Sequence, residues 1–175
     1  MKRTGIATDA IRDRIFSLCH EKKYESAIKE AKSLTKPTRT HKQKAFGVRM
    51  LAYILAHQEQ TAEAANLLLK AVKGHPADRA IHSSLTRRLI DCARYPEAIQ
   101  FAERLIKLDR NRRWRPYTDL ARFHKAYAMY KLGKLDEAEA ELKHVADENN
   151  IWIDEHLATK ASLLGEIARA KSEKT

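Results

Sequence analysis

The sequence predicts an all-α protein assembled from tandem helix-turn-helix repeats. Three observations carry that expectation. Ala, Leu, Lys, Arg and Glu dominate the 175 residues, and these are strong helix formers; 5 Gly and 4 Pro are too few to turn a many-stranded β chain. Four segments resemble one another: Tyr24-Glu25-Ser26-Ala27-Ile28, Thr61-Ala62-Glu63-Ala64-Ala65, Tyr95-Pro96-Glu97-Ala98-Ile99 and Leu135-Asp136-Glu137-Ala138-Glu139. Their shared Ala recurs at intervals of 37, 34 and 40 residues, which a 34-residue unit with two short insertions explains.

Each unit reads as two helices around a tight turn. Upstream of the shared Ala, Ile11, Ile15 and Leu18 form one helical stripe. Val48, Leu51, Ala52 and Leu55 form the next, and His82, Leu85 and Leu89 a third. Downstream, the stripes are Ala27, Ala31, Leu34; Ala64, Leu68, Ala71; Ala98, Ala102, Leu105; and Ala138, Leu142, Val145. Offsets of four and seven recur each time, and the shared Ala falls where the two helices cross closely. Turns are expected near residues 22–23, 58–60, 93–94 and 133–134. Gly74 followed by Pro76 marks a helix end, because Gly accepts the left-handed conformation and Pro cannot continue the helix. Glu25–Lys29, Glu103–Lys107 and Glu139–Lys143 are ordered to pair one turn apart on exposed sides.

Ala126-Tyr127-Ala128-Met129-Tyr130-Lys131-Leu132-Gly133-Lys134-Leu135-Asp136-Glu137-Ala138 resembles the tetratricopeptide repeat family, as does the chain over about residues 8–152. The repeats are degenerate. Ile11, Val48, His82 and Arg122 stand where the family often has Trp, and the closing Pro survives as Pro76. The resemblance implies a right-handed α-solenoid of about four repeats (8–41, 45–78, 79–112 and 119–152) after an N-terminal tail, 1–7. Residues 153–175 read as a capping helix and frayed end, with Ile153, Leu157, Ala161, Leu164 and Ala168 as its stripe. Nine helices and essentially no strand follow.

Composition narrows the function classes. No run approaches the roughly 18 apolar residues of a membrane span, no apolar leader follows Met1, and two cysteines make no disulfide framework. A cytoplasmic protein without membrane association is expected. No His pair has zinc-ligand spacing, the glycines are isolated, and no nucleophile elbow occurs. The expectation is therefore no enzyme, no cofactor and no metal.

The charge of +11 is uneven: residues 1–44 carry 12 Lys/Arg against 5 Asp/Glu, and residues 79–118 carry 10 against 4. That polarity attracts an acidic partner. The resemblance implies that first helices line a concave face. There Arg12, Phe16, Arg49, Tyr53, His57, Arg87, Phe123, Tyr127 and Tyr130 combine the Arg and aromatic types that anchor interfaces. Cys19, His20, Ser83 and Asp91 project to the same side. Some family members clamp a peptide carboxylate with Lys, Asn and Arg on these helices; no Asn stands in a first helix here, so that clamp is not carried over.

The expected function is a non-enzymatic interaction module, whether adaptor, chaperone or neutralising partner, that binds an acidic protein or extended acidic peptide. The alternative is a nucleic-acid-associated factor using the basic 110–117 loop. There Arg110, Arg112, Arg113 and Arg115 interleave with Trp114 and Tyr117, and the basic first repeat adds to the charge.

Overall fold

The computed structural model describes residues 3–110, 117–147, 150–153 and 156–173. In chain order the elements are α1 (Arg3–His20), α2 (Tyr24–Leu34), α3 (His41–His57), α4 (Thr61–Gly74), α5 (Arg79–Asp91) and α6 (Tyr95–Asp109). There follow α7 (Thr118–Lys131), α8 (Leu135–Leu142), β1 (Asn150–Ile153), β2 (His156–Thr159) and α9 (Lys160–Ser172). Among the described residues the fold is all-α apart from one short antiparallel strand pair. Two compact units divide it, Met1–Ile81 and His82–Thr175.

One turn is built four times. Lys22, Glu59, Ala93 and Gly133 take the left-handed conformation, with φ of 57°, 63°, 55° and 73°. In the first turn the Lys22 N–H donates to the Cys19 carbonyl (3.0 Å) and the Lys23 N–H to the Leu18 carbonyl (2.8 Å). The pairs Glu59/Gln60, Ala93/Arg94 and Gly133/Lys134 repeat that closure. It satisfies carbonyls that a helix end otherwise leaves open. The next helix then starts in register: the N–H groups of Ala27, Ala64, Ala98 and Ala138 donate to the carbonyls of Lys23, Gln60, Arg94 and Lys134. All four alanines are fully buried. The sequence period and the turn geometry thus report the same repeat frame.

Three of these left-handed residues carry a Cβ, which costs roughly 1–2 kcal/mol each. Gly133→Ala is accordingly expected to cost about 1 kcal/mol, roughly 2–4 °C in Tm. Ala93→Gly should be neutral or slightly stabilising, because relief of strain is offset by the freer unfolded chain. Thermal unfolding by circular dichroism checks both; equal losses would show that the turn is not under this constraint.

In the first unit, Ile15, Cys19, Ala27, Ala31, Met50 and Ile54 form a buried cluster between α1, α2 and α3. The α3 stripe departs from the expected one: Met50 and Ile54 are buried, while Val48, Leu51 and Leu55 are half-buried. The reason is visible in α3 itself, which is apolar nearly all round and contacts α1, α2 and α4, so periodicity does not choose a face. Gly47 lets α3 close on α2. A Cβ there would meet the Leu34 Cβ at 2.9 Å and the Ala31 carbonyl at 3.0 Å.

In the second unit, Ala102, Leu105 and Ala121 bury the α6–α7 contact. The chain end corrects the sequence reading. Strands β1 and β2 pair antiparallel, with Ile151 opposite Ala158 and Trp152 opposite Leu157. The last helix therefore starts at Lys160, where Thr159 and Ser162 form a capping box. The change of phase buries Leu163 and Ile167 in place of the expected stripe; Leu157 is 47% exposed, and Ala161 and Ala168 are exposed.

Candidate interaction surfaces

In the first unit, α1 and α3 lie side by side and bring four rings together. Phe16 and Tyr53 stand with centroids 4.5 Å apart, Tyr53 and His57 4.4 Å apart, and His57 and His20 6.1 Å apart. Phe16 and Tyr53 are half-buried against the core, and the two imidazoles are exposed. The Tyr24 hydroxyl donates to the His57 carbonyl at 3.1 Å, tying α2 to the end of this ladder. The spacing that places Phe16 and His20 one turn apart, and Tyr53 and His57 likewise, sets the ladder along both helices. Cys19, expected beside Phe16, is instead core, and burial pushes its thiol pKa up.

The arginines are less available than the sequence suggests. Arg12 pairs with Asp9 and Asp13, each at 3.1 Å. Arg87 pairs with Asp91 at 2.8 Å, and Arg88 with the same carboxylate at 3.0 Å. Arg49 is half-buried on α3.

In the second unit, Phe123 is fully buried and Tyr127 is 7% exposed, so neither is an open-face residue. Helix α7 is enclosed on nearly all sides: Ala121, His124, Ala126, Ala128 and Met129, spread round the helix, are buried as well. Tyr130 is half-buried 6.4 Å from Tyr127; burial and then Glu166, with which it hydrogen-bonds, raise its pKa.

Arg110 is exposed at the end of α6, and Tyr117 is half-buried; Arg112, Arg113, Trp114 and Arg115 lie outside the described residues. Asp109, which sequence reasoning passed over, is fully buried and accepts from the Tyr117 N–H (3.2 Å) and the Thr118 hydroxyl (3.0 Å). It joins the last residue of α6 to the first of α7, at the positive end of the α7 dipole. A carboxylate just before an insertion, with Thr eight to ten residues on, is too common a pattern to have disclosed this.

Two of the three expected helix-surface pairs, those of Glu103 and Glu139, give way to bonds between helices. Glu103 meets Lys125 (3.2 Å), and Glu141 meets both Lys125 (3.0 Å) and Arg122 (2.9 Å). Glu139 meets Lys171 of α9 at 2.6 Å. Among the described residues no group of three or more His, Cys, Asp or Glu is arranged to hold a metal ion. No helix of the described residues is long and apolar enough to cross a membrane.

With the geometry in place, solved structures give the fold. A putative kinesin light chain of Podosopora anserina with nearly identical TPR-like repeats superposes with a TM-score of 0.70 at 17% identity, covering 99% of this chain and 90% of that one. MamA from MSR-1 gives a TM-score of 0.58 at 17% identity, covering 96% and 84%. The fold is that of the tetratricopeptide-like helical repeats. No protein-family model matches the sequence, and no curated protein does.

Proposed function

We propose that the protein is a non-enzymatic protein-interaction module that binds an acidic protein or extended acidic peptide along the α1–α3 face. The observation that carries this reading is the ring ladder Phe16–Tyr53–His57–His20. It combines rigid, half-exposed aromatic area with polar ring edges in one strip. Aromatic anchors give contact area at low cost in side-chain freedom. Lys/Arg outnumber Asp/Glu by 12 to 5 over residues 1–44, a field that draws an acidic partner to this unit as a whole and not to the ladder alone. The Arg12 and Arg87 ion pairs move the source of that attraction away from the arginines first expected to supply it. The TPR-like fold supports a binding scaffold over a catalyst.

The test is capture of partners from the native cell, with and without nuclease, by the wild type and by Tyr53→Ala. An acidic protein retained after nuclease and lost with Tyr53→Ala is the expected outcome. Capture that disappears with nuclease would favour the nucleic-acid reading, in which Arg110 and the 112–115 segment would also be engaged.

A further inference from the structure

A second surface lies on the other side of α2 from its buried stripe. Ala27, Ala31 and Leu34 face the core, so Lys29 and Lys32 project outward, and Lys36 follows just past the helix end. The chain then turns through Arg39 into the first turn of α3, which holds Lys42 and Lys44 and no acidic residue. From Lys29 to Lys44 there are six Lys/Arg against one Glu, Glu30, and that Glu is engaged by Arg14 at 3.2 Å. Lys29, Lys32, Lys36, Arg39 and Lys42 are exposed, and none of them makes an ion pair among the described residues. The expected Glu25–Lys29 pair is not formed. The Arg39 guanidinium donates to the Ser33 carbonyl at 3.2 Å, which holds the turn against the end of α2.

Like charges one helical turn apart repel, and cations at a helix N-terminus oppose its dipole. Beyond the Arg39 bond to the Ser33 carbonyl and the place of Lys32 in the last turn of α2, where a cation suits the dipole, these five cations have no ionic partner among the described residues. The patch also lacks what a protein interface uses. It has no aromatic or large aliphatic anchor, and Lys, which protein interfaces avoid, makes up most of it. Nor does it offer the apolar insertion face of a membrane-surface helix. Exposed cations spread over this corner suit a phosphate backbone, whose recognition is electrostatic and needs no pocket.

We infer that the α2–α3 corner, carrying Lys29, Lys32, Lys36, Arg39 and Lys42, is a docking surface for the phosphate backbone of nucleic acid. It is separate from the ring ladder and stands whether or not the ladder binds protein. With about five phosphate contacts, affinity for duplex DNA should fall about 10²- to 10³-fold between roughly 50 and 200 mM salt.

The test is fluorescence anisotropy with a labelled random-sequence duplex against the full chain. Lys29→Glu/Lys32→Glu/Lys36→Glu should weaken binding at least about tenfold at low salt and lower the salt slope by about three. Lys70→Glu/Lys73→Glu/Lys107→Glu changes net charge equally and should have a much smaller effect; circular dichroism checks that both variants fold. Equal weakening by the two variants would overturn the inference. So would absence of wild-type binding at low salt, or binding of polyglutamate or phosphatidylserine vesicles in place of the duplex. Tyr53→Ala should leave duplex binding unchanged, which keeps failure of this surface distinct from failure of the ladder.

Discussion

The protein should lose on the order of 4 kcal/mol of stability as pH falls from about 6.5 to 3, through His124 alone. His124 is 3% exposed, and its Nδ1 has no hydrogen-bond partner among the described residues. Burial, followed by the charges of Arg87 and Arg88, lowers its pKa to about 3. The folded protein therefore holds this ring neutral, while the unfolded chain takes up a proton near the ordinary value. Because the unfolded state binds more protons between those limits, stability is full above about 6.5 and drains away as pH falls. That loss is comparable with the whole stability of many domains, roughly 5–15 kcal/mol. Carboxylates held low by partners, such as Glu97 by Arg94, also lose stability in acid, so the comparison must be with a variant. Urea unfolding at pH 7.5 and 4.5 should show the wild type losing about 3 kcal/mol more than His124→Leu, two pH units below the free-histidine value. Equal losses would mean that the ring finds an acceptor and titrates normally.

The second large effect concerns the attachment of α9. Leu163 and Ile167 are 2% and 1% exposed. Lys171 bonds Asp136 and Glu139, and Lys160 bonds the Val145 carbonyl and Asp147. Magnitudes decide which matters. Each large-to-small change in a core costs roughly 2–5 kcal/mol, whereas exposed ion pairs contribute about 0–1 kcal/mol. Leu163→Ala/Ile167→Ala is therefore expected to release α9, with proteolysis at its residues and a lowered Tm for the second unit. Lys171→Ala should change little. If Lys171→Ala releases the helix as readily, the ion pairs and not the apolar pair hold it.

Much of the architecture is legible in the chain because the constraint is local and repeated. An Ala at each close crossing, with apolar residues four and seven further on, needs only helix geometry to be read. The left-handed residues are not so marked: Gly133 announces itself, but Lys22, Glu59 and Ala93 do not, since the surrounding closure overrides their preference. The strand pair β1–β2 is not legible because a helical stripe can be drawn through Ile153 and Leu157, although Ile151-Trp152-Ile153 is a run of strand formers.

The proposed interaction face is legible in part. One-turn spacing placed Phe16, His20, Tyr53 and His57 on facing helices, and the Arg87–Asp91 neutralisation was readable at four-residue spacing. That Phe123 and Tyr127 turn inward is decided by the packing of α7 against α6 and α8, which no single-helix pattern contains.

The most direct measurement is selection of the protein against a displayed random peptide library, followed by titration of the recovered peptides against Tyr53→Ala and Phe16→Ala. Peptides rich in Asp and Glu that bind faster at low salt are the expected result. Each Ala variant should weaken them by at least about tenfold, some 1.4 kcal/mol, without loss of fold. Peptides without acidic character, or acidic peptides that bind both variants as well as the wild type, would contradict binding of an acidic partner along the α1–α3 face.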